Sequence, residues 1–152
     1  MPTNTLNVSF VSDDWRGVAL SNFCLAPFAM DDVLLASVEG FIQGIKFPED
    51  NANRQQAFTT WEWAAKKAGQ GAQRNLVYWA GQQLPFGSPA HHALVERALR
   101  AKFAQNQGAC LVLKATGQAV LVHNTDEGPE PALTSLPAAR FCQVLTDIRA
   151  RL

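Results

Sequence analysis

No stretch of this sequence approaches about eighteen uninterrupted apolar residues, the length a membrane-crossing helix needs. Met1 to Phe10 has neither a basic start nor an apolar run of signal-peptide length. The chain therefore reads as soluble and cytoplasmic. Cysteine is scarce. Cys24, Cys110 and Cys142 form no CxxC pair and no metal knuckle, and an odd count argues against a disulfide framework. Each lies in an apolar run, where cysteine behaves as a small buried hydrophobe. Net charge is also missing. Thirteen Lys and Arg balance thirteen Asp and Glu, so strong nonspecific nucleic-acid binding, which needs clustered positive charge, is not expected. A local basic pocket for one phosphate group is compatible with that balance. No internal repeat or low-complexity block is present.

What remains is ordinary globular composition on the dry side, 47% hydrophobic and 17% charged. A chain of 152 residues makes one domain and buries roughly two thirds of its unfolded surface. Val8 to Val11 is β-prone and reads as a first strand. Asp13 to Leu20 reads as a loop carrying Trp15 and Arg16. Phe28–Met30, Asp31-Asp32 and Val33–Leu35 read as strand, turn and strand. A three-or-four spacing of Ala57/Phe58, Trp61, Ala64/Ala65 and Ala68 predicts one helix from Asp50 to Ala68, with Trp61 in its core stripe. Leu76–Trp79 and Leu84–Phe86 form a hairpin. Ser88-Pro89 caps a helix to Asn106, Gly108 to Ala115 is a short helix, Ala119 to His123 a strand and Asn124 to Thr134 a loop. A last helix opens at Pro137. Helices outnumber short strands without regular β-α alternation, which favours an α+β, mostly helical single domain with a few short strands and hairpins.

The densest chemistry lies in Ser37 to Phe47. Ser37 is a good N-cap for a helix from Val38 to Lys46, and Pro48 ends it. At 100° per residue, Glu39, Gln43 and Lys46 fall within about 60° of one another, Val38, Phe41, Ile42 and Ile45 form an apolar stripe, and Gly40 and Gly44 share a third. Each glycine costs about 1 kcal/mol relative to alanine in a helix interior. Close approach by another element or a ligand is the usual compensation.

The stretch Val38-Glu39-x-x-x-Gln43-x-x-Lys46-Phe47, following Ser21-Asn22-Phe23 and Pro27-Phe28, resembles the NADAR, or YbiA-like, family. Val77-Tyr78-Trp79-x-Gly81, Gly87-Ser88-x-x-His91, Ala98–Phe103 with Gln105-Asn106, Leu113-x-Ala115-Thr116-Gly117 and Leu145-Thr146-x-Ile148-Arg149 extend the likeness over residues 8 to 152. The resemblance implies an α+β fold and cleavage of a bond from ribose C1′ to nitrogen. The substrates it implies are phosphoribosylated pyrimidine intermediates of riboflavin synthesis, or ADP-ribosylated guanine in nucleic acid or related acceptors. It implies no cofactor.

Glu39 is either a first-turn glutamate aiding the helix dipole or the carboxylate that moves a proton or stabilises charge at C1′. Lys46 is either a snorkelling helix-terminal lysine or, as the resemblance suggests, a nucleophile that holds the opened ribose as a Schiff base. Gln43 lies between them, able to bond a ribose hydroxyl or orient Lys46. Asn22 and Ser21 are candidate donors to base or ribose, or a local turn. Arg16 is a candidate phosphate partner or a solvated loop arginine. Trp79 is assigned to stacking on the base, against a place in the core. His91 is a weak substrate contact; with His92 it lacks a third ligand at metal spacing, so zinc is not expected. Lys102 is a snorkelling lysine or a phosphate contact. Two departures stand out. Gly40 replaces a histidine common in the family, and the family's Asp-x-x-Trp-Gly element is absent, so an acidic partner for Glu39 is either missing or supplied by Asp126. Gly40 and Gly44 are expected to widen one side of the pocket. The alternative reading is a module that binds ADP-ribose or a nucleotide without cleaving it.

Overall fold

The computed structural model describes residues 4–152. Among these, seven helices surround three two-stranded sheets: β1 (Thr5–Asn7), α1 (Trp15–Ala19), β2 (Phe28–Met30), β3 (Val33–Leu35), α2 (Val38–Gly44), α3 (Ala52–Phe58), α4 (Glu62–Ala68), β4 (Leu76–Trp79), β5 (Gln82–Pro85), α5 (Pro89–Gln105), α6 (Gln107–Ala115), β6 (Val120–Val122) and α7 (Ala138–Ala150). β2–β3 and β4–β5 are antiparallel hairpins, while β1 pairs in parallel with β6. The expected α+β class and helical bias hold.

Helix α2 is central. Ser37 Oγ accepts the Gly40 N–H at 2.9 Å and donates to Thr60 O at 2.9 Å, so one hydroxyl caps the helix and ties it to the α3–α4 junction. Val38, Phe41 and Ile45 are fully buried, and Ile42 is at the core's edge. They pack with Phe58, Trp79, Val95, Leu99 and the α7 residues Val144 and Leu145 in one continuous core. The glycine stripe faces α3. A Cβ at Gly40 would stand 2.5 Å from Ala57 O, and one at Gly44 would stand 2.3 Å from the Phe58 ring. The glycines thus let α3 approach; they do not widen a pocket.

Three local expectations are corrected. The first strand lies at Thr5–Asn7 rather than Val8–Val11, because Val8 makes the last ladder bond, N–H to Val122 O at 2.8 Å, before the chain turns. Residues expected to form a loop contain α1, capped by Asp14, whose carboxylate accepts the Arg16 N–H at 2.9 Å. The single helix over 50–68 is two. Thr59 and Thr60 hydroxyls donate back to the carbonyls of Gln55, Gln56 and Ala57, a local competition with helix continuation. Glu62 then takes a φ of 55° and donates its N–H to Phe23 O at 2.8 Å. This break turns α4 relative to α3. Trp61, expected in the core, is 41% exposed, and Trp63 and Lys66 swing towards a cleft.

Candidate functional site

A cleft of about 360 Å³ opens between α2, α4, the Ser9–Val11 and Ser21–Phe23 turns and the chain from His123 to Leu136. The polar stripe of α2 lines it. Lys46 Nζ donates to Gln43 Oε1 at 2.9 Å, and Gln43 Nε2 donates to Glu39 Oε1 at 2.7 Å. One amide therefore links ammonium to carboxylate. Gln43 and Lys46 are buried and Glu39 keeps a small accessible area. Burial raises the Glu39 pKa against the opposing Gln43 hydrogen bond and the Lys46, Lys66 and His123 charges. Burial, aided by the Arg74 charge, lowers Lys46 to about 8. A carboxylic acid and an amine both brought towards neutral pH are a pair suited to acid–base and nucleophilic work.

The Gln43 side chain rests on Gly69, where a Cβ would fall 1.9 Å from Oε1. Gly69 is the residue that ends α4. Its bare backbone is what leaves room for the amide.

The turn at Ser21–Phe23 supplies the adjoining wall. Asn22 O accepts the Glu39 N–H at 2.9 Å. Asn22 Oδ1 is buried without a hydrogen-bond partner, which leaves an unpaired acceptor beside the cleft. Ser21 lines the cleft, although its hydroxyl accepts the Phe23 N–H at 3.1 Å. Asp126 also lines the cleft, from the exposed 124–134 loop.

The remaining candidates lie elsewhere. Trp79 is 5% exposed, its rings meet Phe41 and Phe58 edge-on with centroids at 5.2 and 6.1 Å, and its Nε1–H donates to Asp31 at 2.8 Å. No face is left for a base, so the stacking assignment is corrected to a core role. Arg16 chelates Asp14 and donates to Ala115 O at 2.8 Å, away from the cleft. His91 is fully buried behind Phe86; its Nδ1 accepts the Gly87 N–H at 2.9 Å, and burial lowers its pKa to about 4. Lys102 is 1% exposed, with Nζ at 3.4 Å from Ser21 O. It can touch the site only through the Ser21 backbone.

Sequence reasoning missed several cleft residues, among them Phe10, Phe23, Trp63, Lys66 and His123. Phe10, Phe23 and Trp63 form an aromatic run, with centroids 5.5 and 5.1 Å apart and the last pair edge-to-face. Trp63 is 58% exposed, so it offers the flat face that Trp79 lacks. His123 has Nδ1 at 2.6 Å from Val8 O and packs edge-on against Phe141. A carbonyl can only accept, so the neutral ring carries its proton on Nδ1 and its lone pair on Nε2. Its place after a strand at the mouth of a loop was the available signal. Among the described residues, no group of three His, Cys, Asp or Glu could hold a metal ion, and no helix is long and apolar enough to cross a membrane.

The fold is that of a known class. The solution structure of the E. coli protein YbiA superposes with a TM-score of 0.66 over 99% of this chain and 86% of that one, at 23% identity. Within that fold the chain belongs to the bacteriophage protein GP30.3 family, whose model matches residues 14–150. A 17.1 kDa protein from the Gp30–rIII intergenic region of Enterobacteria phage T4 is 33% identical over 139 residues, 89% of this chain and 91% of that protein.

Proposed function

We propose that this protein is a NADAR-type N-glycosidase that hydrolyses a ribose C1′–nitrogen bond. The observation that carries the reading is the Glu39–Gln43–Lys46 chain, buried along one wall of a single cleft. The YbiA-like fold and the ordered motifs support it. The ribose sits with C1′ between Glu39 and Lys46 and a hydroxyl donating to the unpartnered Asn22 Oδ1. The base lies on Trp63. The neutral Lys46 amine attacks C1′, and the C1′–N bond breaks with its electron pair leaving on the base nitrogen, which takes up the proton that the newly bonded amine loses. Opening of the C1′–O4′ bond then gives a Schiff base, with Glu39 protonating O4′. Water adds to the imine, its proton accepted by His123 Nε2, and releases the sugar and Lys46. The substrate is a phosphoribosylated pyrimidine of riboflavin synthesis or ADP-ribosylated guanine.

Mass spectrometry after incubation with each substrate tests this. Release of ribose 5-phosphate or ADP-ribose is expected, and Glu39→Gln is expected to remove it while the melting temperature stays at or above that of the parent protein. Folded protein that releases neither product, or a Glu39→Gln variant with undiminished rate, refutes the assignment. One observation favours the second reading, binding without cleavage: Gln43 ties up both Glu39 and Lys46. Tight ADP-ribose binding by calorimetry without turnover identifies that case.

A further inference from the structure

At the cleft mouth Lys66 Nζ is paired with the Glu127 carboxylate. Lys66 belongs to α4 and Glu127 to the 124–134 segment, and both line the cleft that Glu39 and Lys46 line. Lys66 Nζ also lies over the Trp63 ring, 5.3 Å from its centroid, a cation–π contact on one face of that ring. We propose that Lys66 is the phosphate-binding residue of this cleft and that Glu127 is its built-in occupant, displaced when a sugar phosphate enters. The inference rests on reading the cleft as a ribose site.

Lys46 and Lys66 bring two amines to the same cleft. Lys46 feels the positive charges of Arg74 and Lys66, with only Glu39 opposing them. Glu39 itself is biased towards its neutral form by burial. The cleft lining sets Lys46, Lys66 and His123 against Glu39, Asp126 and Glu127, and Glu127 is the carboxylate that pairs with Lys66. The pair is weakly held, with side chains 32% and 57% exposed, and exposed pairs contribute little. A phosphate group carries nearly two charges and three acceptor oxygens at pH 7, so it outcompetes one carboxylate for the same ammonium. The segment can yield locally. Asn124 is clamped to Asn7 by two hydrogen bonds at 3.1 and 2.8 Å, and Thr134 O is held by His92 at 2.9 Å. Glu127 lies between these anchors, so its carboxylate can leave without disturbing either.

Calorimetry tests the proposal with ribose, ribose 5-phosphate, ADP-ribose and inorganic phosphate on the parent protein, Glu127→Gln and Lys66→Met. Glu127→Gln is expected to tighten binding of a phosphorylated sugar about tenfold, and Lys66→Met to weaken it about tenfold. Neutral ribose should bind alike to all three. A gain for ribose 5-phosphate alone marks a monoester site, and a gain for ADP-ribose alone marks a diphosphate site. Inorganic phosphate should compete with whichever ligand gains. The proposal is overturned if Glu127→Gln tightens neither ligand, if Lys66→Met binds them as the parent does, or if inorganic phosphate does not compete. Tightened binding, with no ribose 5-phosphate or ADP-ribose released from the phosphoribosylated pyrimidine or ADP-ribosylated guanine by mass spectrometry, keeps the phosphate site and removes the hydrolase reading. Base release indifferent to both substitutions does the reverse.

Discussion

Replacing Gly69 by alanine isolates the role of the Gln43 amide. Gly69 has φ −86° and ψ −5°, which alanine adopts freely, so the backbone is not strained. The added Cβ would fall 1.9 Å from Gln43 Oε1 and 2.9 Å from Gln43 Cβ. Reaching even a 3.0 Å contact moves Oε1 by about 1.1 Å, and the amide now sits 2.9 Å from Lys46 Nζ and 2.7 Å from Glu39. Both hydrogen bonds are lost or stretched past usefulness. Each favours the charged partner, so Lys46 should fall and Glu39 should rise further. A net hydrogen bond of about 1.4 kcal/mol corresponds to about one pH unit, which takes Lys46 from about 8 to about 7. Titration of the Lys46 Cε–Hε NMR signals between about pH 6 and pH 10 reads this directly and needs no substrate. Gly71→Ala is the control, because nothing lies within 4 Å of a Cβ there. An unchanged Lys46 titration in Gly69→Ala, or an equal shift in Gly71→Ala, refutes the coupling.

Gly40→Ala should destabilise the fold by about 2 kcal/mol in urea unfolding. Its Cβ meets backbone oxygens of Ala57 and Thr60 at 2.5 and 2.8 Å, and that overpacking outweighs the gain in helix propensity. Trp79→Phe should cost about 2 kcal/mol through the lost Asp31 bond and packing, yet leave nucleotide affinity unchanged. Trp63→Ala should weaken affinity about tenfold with little effect on melting; the opposite pattern would return the stacking role to Trp79. Lys102, at about 8, has a folded-state pKa below its ordinary 10.5. The unfolded chain therefore holds the extra proton above pH 8, and stability rises with pH there. Below pH 8 the full cost is present, about 3 kcal/mol from the 2.5-unit difference. Lys102→Met should raise stability at pH 7 and reduce the rise between pH 8 and 9, to which Lys46 also contributes, below the range where the half-buried Cys142 thiol, raised from 9.0 to about 11, acts oppositely. A Lys102→Met variant with an unchanged slope would show that the buried ammonium carries no such cost.

Local chemistry wrote much of this protein in its sequence. Ser37 as cap, the polar stripe of α2, the two hairpins and the long helix from Pro89 follow from spacing and turn residues that act within a few positions. The Glu39–Gln43–Lys46 chain was visible for the same reason: residues at i, i+4 and i+7 meet on any helix. Other features depend on contacts far apart in the chain. The break after Phe58 is fixed by Thr59 and Thr60 turning back on α3 and by Glu62 bonding Phe23, a choice that hydrophobic spacing does not register. That break decides which tryptophan is buried and which is presented. Trp79 is enclosed by Phe41, Phe58 and Arg54, while Trp63 is left facing the cleft. The paired glycines of α2 announced a close approach, but only the packing of α3 showed that protein backbone makes it. Likewise Gly69 and Gln43 are 26 positions apart, and their contact exists only once α4 lies across α2. The sequence by itself determined the polar stripe of α2, because a helix sets its own faces. Tertiary structure decided what that stripe faces, because element crossings are set by the packing of the whole core.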